Sequence, residues 1–135
     1  MANTIRLEIA TPEAMVYSED VDMVTLPGVE GQMGVLPQHV RLITQLVPGE
    51  LIVHQAGHAD FMAVGEGLVE VTNERVSIVT NMAIAVDKID EAAVEEARQR
   101  AAARLREKIS SEEVASVNAS LARSLAQLNV KRRHR

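Results

Sequence analysis

Cysteine is absent from this 135-residue chain. Disulfide scaffolding and thiol chemistry are therefore excluded, which fits a reducing compartment. Tryptophan is also absent, and aromatics make up 1% of the residues, only Tyr17 and Phe61. The core must then be aliphatic. Nucleic-acid binding by base stacking has no rings to work with, so no nucleic-acid partner is expected. The longest apolar run is Met82 to Val86, far below the roughly 20 residues of a membrane helix, so no direct membrane insertion is expected. Met1-Ala2-Asn3-Thr4 shows no basic stretch leading into an apolar one, and no secretory signal is read there. A bacterial cytoplasmic address follows, which permits docking on a membrane complex.

Glycine and proline are missing from residues 90–135, whereas residues 1–89 hold all seven glycines and all four prolines. The hydrophobic period changes at the same place, around Val86 to Glu91, from two to between three and four. Charge divides there too. Residues 1–89 carry twelve acidic and four basic side chains, and residues 90–135 carry seven acidic and ten basic ones. The expected architecture is an all-β domain over 1–88 followed by a helical domain over 89–135. The two present opposite fields and suit different partners.

Within the first part, Ile5, Leu7 and Ile9 alternate with Arg6 and Glu8 as in a half-buried strand. Leu26-Pro27-Gly28 reads as a turn. Gly28, Gly31 and Gly34 follow at three-residue spacing, closed by Pro37. They lack the lysine and the following helix of a phosphate loop, so they read as turns and bulges between short strands. Hairpin signals recur at Gln55-Ala56-Gly57-His58 and Thr72-Asn73-Glu74-Arg75. Nine or ten short strands point to a sandwich or a flattened barrel. No catalytic set stands out. His54 and His58 alone make a poor zinc site, His39 reads as a loop residue, and no nucleophile elbow is present. Neither a metal nor a cofactor is expected.

In the second part Asp90 is a good N-cap, with Glu91 in the first turn. Val94, Ala97, Ala101, Leu105 and Ile109 form one apolar stripe on a helix expected to end near Ser110. Glu96 and Arg100 are spaced as an i,i+4 pair. Arg98, Arg100, Arg104, Arg106 and Lys108 make the rest of that surface basic. Ser110 and Glu113 have capping-box spacing and start a second helix, with a stripe at Val114, Val117, Leu121, Leu125 and Leu128. So short a link makes the hairpin antiparallel. Its alanine-rich seam buries little area, so the pair is marginal alone. A detachable arm and a permanently packed appendage are equally consistent with this. Lys131 to Arg135 reads either as a solvated tail or as a contact for an acidic protein surface.

Leu26-Pro27-Gly28-Val29-Glu30-Gly31-Gln32-Met33-Gly34-Val35-Leu36-Pro37-Gln38-His39, then Leu42-Ile43-Thr44 and Pro48-Gly49, resemble the signature of the epsilon subunit of bacterial and chloroplast rotary ATP synthases. Gly65-Glu66-Gly67-Leu68-Val69-Glu70-Val71 and the run from Ala122 to Val130 extend the resemblance over nearly the whole chain. It implies a ten-stranded β-sandwich followed by an antiparallel two-helix hairpin. It also implies a non-catalytic rotor subunit, peripheral on the cytoplasmic face of the inner membrane. The implied partners are the gamma shaft, the c ring and, through the helices, the catalytic alpha/beta hexamer, whose ATP hydrolysis the helices restrain. By resemblance Glu30, Gln32 and His39 occupy the loop facing the c ring. Arg98, Arg100, Arg104, Arg106, Lys108 and Arg123 would meet an acidic loop of the beta subunits.

Two departures bear on function. Val40-Arg41 stands where the family usually has Ala-Pro, giving a less rigid and more basic loop. Some members bind ATP through an Ile-Asp-x-x-Arg-Ala motif and two arginines of the second helix. Here Ile89, Asp90 and Arg123 match, while Ala93 and Gln127 replace arginines. Losing two guanidiniums weakens phosphate and base contacts, so weak or absent ATP binding is expected. An ATP-sensing module that closes on nucleotide is the alternative reading, and the alanine at position 93 argues against it.

Overall fold

The structure is a computed structural model that describes residues 3–134. Met1 and Ala2 of the N-terminal reading, and Arg135 of the basic tail, lie outside the described residues. Ten strands come first: β1 (Ile5–Ala10), β2 (Met15–Val21), β3 (Met23–Gly28), β4 (Gly31–Val35), β5 (Leu42–Leu46), β6 (Gly49–Gln55), β7 (His58–Val64), β8 (Gly67–Val71), β9 (Arg75–Thr80) and β10 (Ala83–Ala85). A 3-10 turn, Val86–Lys88, leads into α1 (Glu91–Arg104) and α2 (Ser111–Arg133).

The strands form one continuous hydrogen-bonded sheet in the order β10-β7-β6-β3-β5-β8-β9-β1-β2, with β4 beside β3. It folds over on itself as two leaves: β4, β3, β6, β7 and β10 in one, β5, β8, β9, β1 and β2 in the other. One corner is thin, since β3 meets β5 at the single pair Gly28↔Leu46. The other corner is covalent. β2 and β3 are one extended run broken at Asp22, whose backbone N–H donates to the His54 carbonyl at 2.8 Å. Every pairing is antiparallel except β1 with β9. Between the leaves lie Ile5, Leu7, Ile9, Leu26, Leu51 and Ile78, all essentially inaccessible to solvent. Each such side chain contributes about 1.5–3 kcal/mol through burial. The β domain thus has a core of its own.

Two sequence expectations need correction here. Leu26-Pro27-Gly28 is not a turn. β3 runs through Gly28, and the reversal is made by Val29-Glu30, with Gly28 paired to Gly31. Pro27 is tolerated because the strand uses its carbonyl, which accepts from the Val47 N–H at 2.9 Å. The first helix ends at Arg104, well before Ser110. With no glycine to stop it, it tightens into short turns, Arg106 N–H to Ala103 O and Glu107 N–H to Arg104 O. Arg104 then joins Glu107 at 2.9 Å and Glu113 at 2.5 Å, pinning the connection between the helices.

Both expected caps are present: Asp90 accepts from the Ala93 N–H and Ser110 from the Glu113 N–H, each at 3.1 Å. Glu113 turns its carboxylate back toward Ser110 through Oε1, as the capping-box spacing predicts, while its Oε2 takes Arg104. Arg98 pairs with Glu95 at 2.6 Å, in place of the Glu96–Arg100 pair expected from the spacing. No residue of α1 is buried. α2 buries Ala126, Leu128 and Val130, and lies against β6, β7 and the 3-10 turn, with α1 packed on its far side.

Candidate functional site

The chemistry of this chain lies in surfaces. Among the described residues there is no group of three or more histidine and carboxylate side chains placed to hold a metal. His54 is paired to Ala59 across the β6–β7 hairpin, and His58 to Gln55, so the two histidines are not directly opposed.

The first surface is the tip of the β3–β4 hairpin. Gly31 adopts a φ of 121°, open to glycine alone, and this leaves Glu30 and Gln32 exposed on a two-residue reversal. His39 is not in this loop. It stands in the β4–β5 connection, where the Gln38 N–H bonds to the Asn73 carbonyl at 2.9 Å and the His39 ring lies 2.7 Å from the Val40 carbonyl through Nδ1. That connection leads into the Leu42 end of β5, while the hairpin tip adjoins the Leu46 end. Four residues of strand, on the order of 14 Å, lie between. The family resemblance implied one loop for Glu30, Gln32 and His39, and the intervening β4 makes it two.

The second surface is the outer face of β5, β8 and β9. Leu68 and Val79 are directly paired and more than half exposed, and Ile43, on the neighbouring strand, is 70% exposed. Val40 and Leu36, in the connection that precedes β5, are exposed as well. Apolar side chains at outward positions of adjacent strands form the kind of contiguous patch that marks a protein-binding face. The patch was readable in the sequence as apolar residues on both strand faces, Leu68-Val69 and Ile78-Val79.

The third surface is the junction between sheet and hairpin. Ala63, Ile89 and Val130 form a small buried cluster, flanked by Phe61, Met82, Ile84, Val86 and Val94. Around it runs a set of polar clasps. Glu50, with only 11% of its side chain exposed, holds Arg133 at 2.9 Å and His134 at 2.5 Å. The His134 ring stacks on Phe61 with centroids 3.7 Å apart. Lys131 donates to the Val86 carbonyl at 3.2 Å, and Gln127 to the Met82 sulfur at 3.1 Å. Arg123 bonds Glu66 at 3.2 Å, and Glu66 also takes Asn81. Gly65 and Gly67 set this glutamate in place. A Cβ on Gly67 would collide with the Val79 carbonyl, and one on Gly65 with the Asn81 side chain. Glu50 and Glu66 were not legible as anchors, since their partners lie 84 and 57 residues away.

The basic residues of the helices divide into two groups. Arg98, Arg104 and Arg123 are engaged in the ion pairs given above. Arg100, Arg106 and Lys108 are exposed and form no ion pair among the described residues. Hydrogen bonding from Arg98 holds the Glu95 carboxyl below the usual carboxylate range, and Arg104 does the same to Glu113. Of the residues matched to a nucleotide site, Ile89 is buried in the junction cluster and Asp90 caps α1. Arg123 lies some 13 Å along α2 from Arg132, the residue that pairs with Glu91 beside Asp90, counting nine residues at about 1.5 Å each. Thus Arg123 faces Glu66 rather than Asp90.

Comparison with known proteins agrees with this architecture. Residues 4–86 match the family described as ATP synthase, Delta/Epsilon chain, beta-sandwich domain, and residues 87–132 match ATP synthase, Delta/Epsilon chain, long alpha-helix domain. The ATP synthase epsilon chain of Herpetosiphon aurantiacus is 42% identical over 126 residues, 93% of each chain. That of Chloroflexus aggregans is 40% identical over 131 residues, covering 97% of this chain and 94% of the relative. Among solved structures, a chain of the Euglena gracilis mitochondrial ATP synthase OSCP/F1/c-ring assembly superposes with a TM-score of 0.78 at 25% identity. The match covers 96% of this chain and 81% of that one. A chain of the Tetrahymena thermophila mitochondrial ATP synthase central stalk/c-ring shares the fold, with a TM-score of 0.62 at 13% identity. With both domains matched in order and relatives covered almost end to end, the chain belongs to the epsilon-chain family of the ATP synthase.

Proposed function

We propose that this chain is a non-catalytic rotor subunit, peripheral on the cytoplasmic face of a bacterial membrane, that joins the gamma shaft to the c ring and restrains ATP hydrolysis through its hairpin. The apolar face of Ile43, Leu68 and Val79 suits a permanent contact and is assigned to the gamma subunit. The exposed tip carrying Glu30 and Gln32 is assigned to the c ring, with His39 on the neighbouring connection. Arg100, Arg106 and Lys108 are the cations available to the catalytic hexamer while the hairpin is closed. Arg98, Arg104 and Arg123 join them only if their present pairs are exchanged.

The observation that carries this reading is how lightly the hairpin is held. One small buried cluster, Ala126 and Leu128 of α2, and a handful of ion pairs, half-exposed apart from those of Glu50, fasten it, and no residue of α1 is fully buried. Surface ion pairs contribute about 0–1 kcal/mol each, so an arm fastened in this way can open. The sheet keeps its own core when it does. Ending the chain after Lys88 tests the proposal. In the assembled complex, ATPase activity is expected to rise while binding to gamma is kept. Unchanged activity would remove the inhibitory role.

A further inference from the structure

The sheet is not closed. β7 has seven residues but β10 covers only Met62, Ala63 and Val64 of it, leaving His58 to Phe61 without a partner on that side. Facing this uncovered stretch is β2, the far end of the strand order, whose own outer edge pairs with no strand among the described residues. Between them lies a groove of about 650 Å³. Val53 and Met62 form its apolar floor, Val16 and Tyr17 one wall, and Asp60 and Phe61 the other. The Val86–Lys88 turn closes one end. At the opposite end the sheet is tied shut, where Gln55 bonds the Asp20 carbonyl at 2.9 Å.

Three features say what fits. Unpaired strand edges on both sides ask for backbone donors and acceptors, the requirement met by an added strand. The Tyr17 hydroxyl is buried in the wall with no hydrogen-bond partner among the described residues. Burial and the carboxylates of Glu19 and Asp60 push its ionisation above the ordinary tyrosine value, so it stays a donor in need of an acceptor such as a peptide carbonyl. The charges at hand are Glu19, Asp60 and Asp87 against Lys88 and the exposed His58, which favours a cationic visitor.

We propose that this slot takes an extended segment of a partner protein, with apolar and basic residues alternating, that adds to β7 along the line of β10. Its apolar side chains point to Val53 and Met62, its basic ones reach Asp60 and Asp87, and one carbonyl accepts from Tyr17. Because the turn at Val86–Lys88 bounds the slot, the bound strand touches the joint from which the hairpin departs. The slot is separate from the hairpin tip and from the β5–β8–β9 face, so it adds a contact beyond those assigned above.

The test uses the isolated full chain, labelled with 15N, and a synthetic hexapeptide of alternating valine and lysine with blocked ends. Binding is expected to shift the amides of Ala59, Asp60 and Phe61 and slow their exchange. Affinity should fall at least ten-fold in Asp60→Lys and several-fold in Tyr17→Phe. A peptide of equal charge with proline at the valine positions should not bind. The proposal is overturned if these amides are unmoved at millimolar peptide, or if the proline peptide binds equally. Dodecylamine shifting the same amides while the hexapeptide does not would assign the groove to a small amphiphile, and likewise overturn it.

Discussion

At the scale of single residues, Glu50 is the most exposed point of failure of the closed state. It is a largely buried carboxylate that holds both the Arg133 guanidinium and the His134 ring at the C-terminal end of α2. Removing it frees both partners. Glu50→Ala should weaken the docking by about 1–2 kcal/mol, a five- to thirty-fold shift toward the open hairpin. Because the chain has no cysteine, a dye pair on engineered cysteines in β6 and α1 reports this without interference. An unchanged transfer efficiency would mean that Glu50 does not hold the arm. Ala93 is the corresponding point for nucleotide. It is exposed on α1 with no guanidinium to offer, and Gln127, the other substituted position, is bonded to Met82. Calorimetric titration of the chain with Mg-free ATP should therefore show no affinity tighter than millimolar. A tighter value would restore the nucleotide-sensing alternative.

At the scale of elements, the strands and helices were legible because their signals are local. Alternation at Ile5, Leu7 and Ile9, the Gln55–His58 reversal, and the caps at Asp90 and Ser110 each depend on residues within a few positions. What was not legible depended on distant partners. Pro27 stays in a strand because of Val47, and Glu113 takes on Arg104 of the preceding helix beside its place at the Ser110 cap. The parallel β1–β9 pair likewise joins strands from opposite ends of the sheet domain, and the separation of His39 from Glu30 arises because β4 stands between them. The hairpin's ion pairs give it a pH dependence of definite sign. Glu95 and Glu113 ionise below the ordinary value of 4.5 when folded. Their contribution is thus present above about 4.5 and is lost as pH falls through the lower folded values. Being exposed and solvent-screened, they make only a small difference. Circular dichroism at 222 nm should show helix content falling on acidification below that point. In Arg104→Gln the fall should be shallower; the same curve as the parent would dismiss the pairing as a source of stability.

At the scale of the molecule, the chain divides its labour by charge and by packing. The acidic sheet domain is fixed by an aliphatic core shared among nine of its strands and leaves its apolar outer face and hairpin tip exposed, the two surfaces proposed above for permanent partners. The basic hairpin is fastened by the Ala63, Ile89 and Val130 cluster and by Glu50 and Glu66. A stable platform with a lightly held arm is the arrangement that a two-position regulator needs, since the two positions must differ by only a few kcal/mol. The central claim is that the arm restrains hydrolysis only when it leaves the sheet. Phe61→Cys with His134→Cys places two thiols where the rings now stack, and a short bifunctional thiol reagent then locks the arm down in the assembled complex. ATPase activity after cross-linking is predicted to rise to that of the complex truncated after Lys88, whereas the same complex before cross-linking is restrained. Equal activity before and after locking would contradict it.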